Sequence, residues 1–214
     1  MAKRLGRAHA LPGQCWAKWT KYFYKNAPRK YYYILVLIEA LCVRVTQICQ
    51  LTVADVDLRR RRVWLKPFKR HRGVWKPLLP SVVETIRSWK SKGWKWPRSG
   101  YLFPSQKGSK HPHVTKDIVA RHVKQQRKSF VQKFSEQFPE LRNGLEIRTH
   151  SGRRHAISEL AGAGVPQHIG MAWSQIESPK VYQSYVDLEP KQVYATMVKH
   201  DKKKVKKTAM KSRR

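Results

Sequence analysis

Acidic residues are scarce in this sequence: 13 Asp and Glu stand against 46 Lys and Arg, and the formal net charge is +33. Residues 199–214 contain nine Lys and Arg and one Asp, so +25 of the charge belongs to the rest of the chain. A folded body this basic repels itself and favours a polyanionic partner. Nucleic acid is the expected partner, because neutralised phosphates release counterions. An anionic membrane surface is the weaker alternative, since no strongly amphipathic basic helix stands out.

Cysteine and long apolar runs are also scarce. The three cysteines are Cys15, Cys42 and Cys49, and so small and odd a number argues against a disulfide framework and predicts a reducing compartment. The best apolar run, residues 31–43, is 13 residues long and contains a glutamate. It predicts a buried helix, because a membrane-spanning helix needs about 20 apolar residues. Residues 1–20 lack the apolar region of a secretory signal.

The apolar spacing predicts a mainly α-helical fold with a small antiparallel β-sheet near residues 53–80. Residues 30–49 have helical periodicity, with a break expected near Arg44. Two β-like runs, 59–68 and 73–80, are joined by a short turn that contains glycine, which is typical of a hairpin. Ser81 and Glu84 predict a capped helix that ends at Gly93. Further helices are predicted at 114–138, 152–164, around 166–173, and in 179–186 and 188–200.

A set of polar side chains near the C-terminus has the composition of a phosphodiester-cleaving site. His150 and Arg153 lie in the stretch HSGRR, and Tyr182 follows Trp173 by nine residues. Upstream, Arg44 lies in an apolar segment, where an unpaired buried charge is costly. A tyrosine hydroxyl, two arginines, a lysine, a histidine and an indole N–H are the groups needed to attack a phosphodiester without a metal.

In these residues the sequence resembles the catalytic domain of the tyrosine recombinases, the phage integrase family, from about Tyr31 to Val198. The stretch around Arg44 resembles the first arginine box of the family, and HSGRR resembles its His-x-x-Arg box. Lys69 stands eight residues before Pro77, the spacing of the active-site lysine in the β2–β3 hairpin. The resemblance therefore implies six site residues: Arg44, Lys69, His150, Arg153, Trp173 and Tyr182.

The resemblance also implies a mechanism. Tyr182 would attack a DNA phosphodiester and form a 3′-phosphotyrosyl bond, while Arg44 and Arg153 clamp the non-bridging oxygens. Lys69 would protonate the leaving 5′-oxygen. His150 would act as an acid–base partner or phosphate ligand, and the Trp173 N–H would act only as a donor. No metal, cofactor or small-molecule substrate is implied; the expected partners are double-stranded DNA and three further copies in a tetramer, linked by exchange of residues 188–200.

Composition and the resemblance together divide the chain into three parts. Residues 1–28 are expected to form a basic N-terminal arm, with at most one short helix, in place of the core-binding domain. Residues 29–198 are expected to form the catalytic domain, and 199–214 a basic, disordered tail. The tail could serve as a nuclear localisation signal, a DNA-binding arm or a solvated end. The protein is expected to be intracellular and associated with DNA, in the nucleoid or in a nucleus.

Two departures from the family and several neighbours leave alternatives open. Gln47 stands where the family has an acid, and the segment before Trp173 is about three residues short. A DNA- or RNA-binding protein without catalysis is therefore one alternative, and a topoisomerase IB-like strand-passage enzyme is another. Neighbouring residues compete for three of the roles: Tyr185 for the nucleophile, Arg154 for the second arginine, and Lys66, Arg70, Arg72 and Lys76 for the lysine. His150 and His155 do not have a zinc-enzyme spacing.

Overall fold

The computed structural model describes residues 11–68, 72–142, 146–186, 188, 193–194 and 196–198. This part of the chain contains eight α-helices, further helical residues at 193–194 and 196–198, and a small antiparallel sheet, so the predicted fold class is confirmed. Lys69, the tail 199–214 and most of 188–200 lie outside the described residues. The helices are α1 (Gly13–Asn26), α2 (Arg29–Leu41), α3 (Val45–Cys49), α4 (Pro80–Ser91), α5 (Lys116–Phe134), α6 (Ser151–Gly162), α7 (Gln167–Ser174) and α8 (Pro179–Gln183).

The sheet consists of three antiparallel strands in chain order, β1 (Val56–Asp57), β2 (Arg62–Leu65) and β3 (Val74–Pro77). The strands β2 and β3 form the predicted hairpin, in which Val63 pairs with Lys76 and Trp64 with Trp75. Because side chains alternate along a strand, Val63 and Lys76 share the buried face. Both are almost fully buried, at 1% and 5% exposed.

Helix α1 belongs to the main hydrophobic core, although its residues were predicted as an arm. Trp16, Trp19 and Phe23 recur with helical spacing and are all buried. The Trp19 ring meets the Phe130 ring of α5 edge to face, with 5.2 Å between the ring centroids. The basic composition of residues 1–28 drew attention away from these aromatic residues. They provide the apolar face with which a helix packs.

Helix boundaries agree with the sequence at some points and differ at others. The break expected near Arg44 exists: α2 ends at Leu41, Cys42 takes a left-handed conformation (φ 50°), and α3 begins after Arg44. The predicted Ser81 cap is wrong, because α4 begins one residue earlier with Pro80 and its N-cap is Leu79. Proline suits the first helical position, where its missing N–H has no role. No helix among the described residues is long and apolar enough to span a membrane.

Candidate active site

Arg44 reaches the site because the chain turns sharply between α2 and α3. Cys42 provides the left-handed turn, and Arg44 is the extended residue that precedes α3. Its backbone N–H donates to Gln47 Oε1 at 3.2 Å. Gln47 Nε2 in turn donates to Gln175 Oε1 at 3.4 Å. Gln47 therefore joins the Arg44 turn to the residue that follows α7, a role that a carboxylate could fill only in part because it cannot donate.

His150 and Arg153 lie at the start of α6. His150 immediately precedes the helix, and Arg153 lies in its first turn. Burial, and next the positive charges of Arg153, Arg44 and Arg154, lower the pKa of His150 to about 4. The Arg44 and Arg153 guanidinium groups therefore both lie near His150. A histidine in such a field is neutral at pH 7 unless an anion enters.

Arg153 is fully buried, at 0% exposed. Its Nη2 donates to the backbone carbonyl of Ser174 at 2.9 Å, whereas Nε and Nη1 have no hydrogen-bond partner. Burial lowers the pKa of Arg153 to about 10, and the nearby Tyr185 phenol and Arg44 charge act in opposite directions on it. Tyr185 is thus close to the guanidinium, but Nε and Nη1 have no hydrogen bond of normal geometry.

The next residue, Arg154, has a different task. Its guanidinium donates through Nη1 to the Ser184 carbonyl at 2.8 Å, and through Nη2 to the same oxygen. It also stacks on the Tyr185 ring, 4.9 Å from the centroid. Arg154 therefore fixes the chain after α8 to α6. Of the two adjacent arginines, only Arg153 keeps donors free for a ligand.

Trp173 contacts Cys42, which was not expected in the site, and Lys76, which was one of several candidates for the site lysine. The indole packs against the cluster that contains Cys42, and burial raises the pKa of the Cys42 thiol to about 11. The Lys76 ammonium lies 3.9 Å from the centroid of the Trp173 ring and donates to the Trp173 carbonyl. Lys76 was visible in the sequence only as one of several lysines and arginines in the hairpin. Its inward position depends on the register with Val63.

Tyr182 lies in a small apolar cluster and not on the surface. Only 2% of the residue is exposed, and it packs with Cys42, Ile157 and Ile176. Its hydroxyl has no hydrogen-bond partner and lies against Gly170 of α7. Burial raises the Tyr182 pKa, and the Cys42 thiol raises it further. Tyr182 therefore shares its cluster with Cys42 and Trp173, but its hydroxyl does not form a hydrogen bond to either arginine.

The unpaired buried polar atoms collect in this site. Six buried side-chain nitrogen and oxygen atoms in the described part of the protein lack a hydrogen-bond partner. Four of them belong to predicted site residues: His150 Nδ1, Arg153 Nε, Arg153 Nη1 and Tyr182 Oη. Buried polar groups are nearly always hydrogen-bonded in folded proteins. Such a group of unmet donors fits a ligand with several acceptor oxygens, such as a phosphate.

A basic cleft of about 510 Å³ leads away from His150. Lys124 and Arg127 of α5 line one side, and Arg148 and Thr149 line the other. Arg127 and Arg148 both form ion pairs with Glu146, which also lines the cleft. No group of three His, Cys, Asp or Glu side chains within the described ranges could hold a metal ion. The cleft and the site together therefore suit a polyanion.

Comparison with known proteins gives a consistent family and fold. The model of the Phage integrase family matches residues 19–192. The crystal structure of XerA recombinase is similar over 94% of this chain, with 16% identity and a TM-score of 0.66. The Tn1549 transposon integrase, in complex with circular intermediate DNA, is similar over 93%, with 15% identity and a TM-score of 0.69. No curated protein matches the chain by sequence.

The chain is shorter than these structures. It covers 66% of the XerA chain and 69% of the Tn1549 integrase fragment. It covers 49% of the XerH recombinase bound to palindromic difH substrate, with 16% identity and a TM-score of 0.58. At such identities the likeness concerns the fold.

Proposed function

Since the chain belongs to the phage integrase family, we propose that it cleaves and rejoins DNA strands through a covalent bond between Tyr182 and a 3′-phosphate. It would act as a site-specific recombinase or integrase on double-stranded DNA. The single observation that carries the proposal is the group of unpaired buried donors on His150 and Arg153. A scissile phosphate would supply the acceptor oxygens that these atoms lack.

The Tyr182 oxygen forms a bond to phosphorus, the bond from phosphorus to the 5′-oxygen breaks, and the phenol proton is released. The leaving 5′-oxygen takes a proton and becomes a hydroxyl group. Arg153 and Arg44 stabilise the charge on the non-bridging oxygens, and His150 contacts the same phosphate or transfers a proton. Lys69 remains the proposed donor to the 5′-oxygen; the reverse step rejoins a strand without a cofactor.

The buried phenol places a condition on this mechanism. The Tyr182 hydroxyl is packed against Gly170 and must leave this pocket to reach a phosphate. Helix α8 is five residues long, and short helices owe their stability to packing. Release of α8 upon DNA binding, or donation of Tyr182 to a neighbouring copy of the proposed tetramer, would each meet the condition.

The alternative is a protein that binds DNA without cleaving it. Two observations favour it: the Tyr182 hydroxyl is buried without a hydrogen bond to either arginine, and Gln47 stands where the family has an acid. The net charge of +33 supports DNA binding in either case.

A covalent-trapping experiment distinguishes the two functions. The full chain is incubated with a library of nicked duplexes whose sequence is randomised on both sides of the nick, so that the short released end cannot rejoin. We expect an adduct that survives denaturation, and mass spectrometry of its peptides should place the nucleotide on Tyr182.

Tyr182→Phe should abolish the adduct while leaving DNA affinity within about twofold, since the hydroxyl makes no hydrogen bond and basic side chains supply most of the affinity for DNA. Tyr185→Phe is the matched control and should retain the adduct. An adduct that persists in Tyr182→Phe and disappears in Tyr185→Phe would show that Tyr185, and not Tyr182, is the nucleophile. If the wild-type protein binds the library but forms no adduct, the result would contradict strand cleavage and support the alternative, DNA binding without cleavage.

A further inference from the structure

Lys76 has an unusual environment for a lysine. It lies in the middle of β3, and its flanking residue Trp75 is 41% exposed, whereas Lys76 itself is 5% exposed. Burial is the main cause that lowers the pKa of Lys76 to about 8, and the neighbouring charge of Arg153 contributes to this shift. None of the ion pairs between described residues involves Lys76. A buried ammonium without a carboxylate is costly, so its contacts call for a functional explanation.

The contacts of Lys76 all converge on the C-terminal end of α7. The ammonium donates to the carbonyl of Trp173 and lies over the indole ring of the same residue. The next carbonyl, that of Ser174, accepts from Arg153 Nη2 at 2.9 Å. The last carbonyls of a helix have no partner within the helix and carry partial negative charge. Two buried cations, Lys76 and Arg153, therefore cap the end of α7 on adjacent residues.

The two cations differ in what else they must do. In the proposed reaction, Arg153 also binds the phosphate, through the Nε and Nη1 atoms that have no partner. Lys76 bonds to Trp173 and lies near Cys42 and Arg153, and the proposed reaction gives it no ligand to bind. Beyond α7, a left-handed Gln175 (φ 54°) leads into the segment that carries Tyr182. The end of α7 thus determines where this segment begins.

We propose that Lys76 is a positioning residue: it holds the end of α7 through the Trp173 carbonyl and indole, and so keeps the Tyr182 segment in place while Arg153 engages the phosphate. This role rests on the proposed function, because it concerns the placement of the nucleophile. It also makes a structural claim that is independent of catalysis. Without the Lys76 contact, Trp173 should no longer cover Cys42.

The three cysteines allow that claim to be measured directly. Cys42 is in the small cluster with Tyr182 and Trp173, whereas Cys15 and Cys49 are in the main core. The full chain is treated with iodoacetamide without DNA, and alkylation at each cysteine is followed by mass spectrometry. Loss of the Lys76 charge also raises the pKa of the Cys42 thiol, so the rate is measured from pH 7.5 to 9.5 and compared per thiolate. In Lys76→Met we expect the Cys42 thiolate to react at least about fivefold faster than in wild type, with Cys15 and Cys49 unchanged. Lys76→Arg, which retains a charged donor, should restore much of the protection.

The second measurement is covalent adduct formation with the randomised nicked library. A misplaced nucleophile lowers the rate by up to about 100-fold, so Lys76→Met should form the adduct at least about tenfold more slowly. Its DNA affinity should stay within about twofold of wild type, because the ammonium is buried. Lys107→Met, in an exposed loop, is the matched control for loss of one positive charge. Should Lys76→Met fail to fold by circular dichroism, Lys76→Gln takes its place and should show the same changes to a smaller degree.

Two results would overturn the proposal. One is equal Cys42 alkylation in wild type and Lys76→Met, because the end of α7 would then be held without Lys76. The other is a loss of DNA affinity as large as the loss of adduct, since Lys76 would then be a DNA contact. If wild type forms no adduct at all, the proposed function fails, and the alkylation rates still decide the positioning role.

Discussion

Gly170 of α7 faces the Tyr182 phenol so closely that a methyl group on Gly170 would overlap the Tyr182 hydroxyl oxygen. The pocket that holds the proposed nucleophile therefore exists only because residue 170 has no side chain. The hydroxyl gains no hydrogen bond there, so shape and apolar contact alone keep the phenol buried. This relationship allows the buried position of Tyr182 to be tested without reference to DNA.

Gly170→Ala should force Tyr182 out of its pocket. We expect the free energy of unfolding to fall by about 1–3 kcal/mol, the usual cost of overpacking a tight core. Chemical denaturation measures the change. In a Tyr182→Ala background the same substitution should cost at least about 1 kcal/mol less, since the clashing ring is gone. Equal costs in the two backgrounds would mean that Tyr182 does not occupy this pocket in solution.

Substitutions at Arg153 and Arg154 should differ in their effect on the free energy of unfolding. Arg154→Met removes a charged donor from the Ser184 carbonyl and should lower the free energy of unfolding by about 2 kcal/mol. Arg153→Met removes a buried charge with two unsatisfied donors, and should cost at least about 1 kcal/mol less than Arg154→Met. Denaturant titration of the two variants at pH 7 gives this comparison.

For DNA binding, the larger effect should come from Arg153→Met and not from Arg154→Met. Arg153→Met should reduce the slope of log affinity against log salt concentration by about 1, because one phosphate contact is lost. The slope should be unchanged in Arg154→Met. A slope that changes only in Arg154→Met would show that Arg154, and not Arg153, contacts the phosphate.

His150 should make the protein less stable as the pH falls. Its pKa is about 4 in the folded protein against an ordinary 6.5, so the unfolded chain binds the extra proton between these values. The free energy of unfolding should therefore decrease from pH 6.5 towards pH 4, by at most about 1.4 kcal/mol per pH unit from this residue. His150→Gln should remove that component, measured as the difference in urea unfolding between pH 7 and pH 4.5.

A matched substitution at the exposed His111 should leave the pH dependence unchanged. Glu39 contributes in the opposite direction, because burial raises its pKa to about 7, but it is present in every protein compared and cancels. If His150→Gln and wild type lose the same stability between pH 7 and pH 4.5, then His150 is not held neutral by burial and the neighbouring arginines.

Much of the fold could be predicted because the periodicity of apolar residues reports directly on helices and strands. The hairpin and the break before Arg44 both follow from local sequence. The orientation of individual side chains could not be predicted. Lys76 lies inside only because β2 and β3 pair in one register, and a shift of one residue would turn it outward. The burial of Tyr182 depends on Gly170, twelve residues away, and nothing in the sequence relates the two.

Gln47 illustrates a second kind of limit. The sequence shows only that an amide replaces the acid of the family. The structure shows that the amide links the backbone of Arg44 to Gln175, a contact 128 residues apart in sequence. Long-range pairs of this kind depend on how α3 and α7 pack, which local patterns do not encode.

The packing of α1 has a practical consequence for anyone who shortens this protein. Trp16 lies directly over Gly152, between His150 and Arg153 in the sequence, and the Leu11 carbonyl bonds to the His155 ring at 3.1 Å. A version that begins at residue 29, the expected start of the catalytic domain, would lack the Trp16 ring and the Leu11 carbonyl, which both contact α6. Loss of even one large core aromatic costs about 3–5 kcal/mol, comparable to the whole stability of many domains. Expression trials should therefore start no later than Leu11.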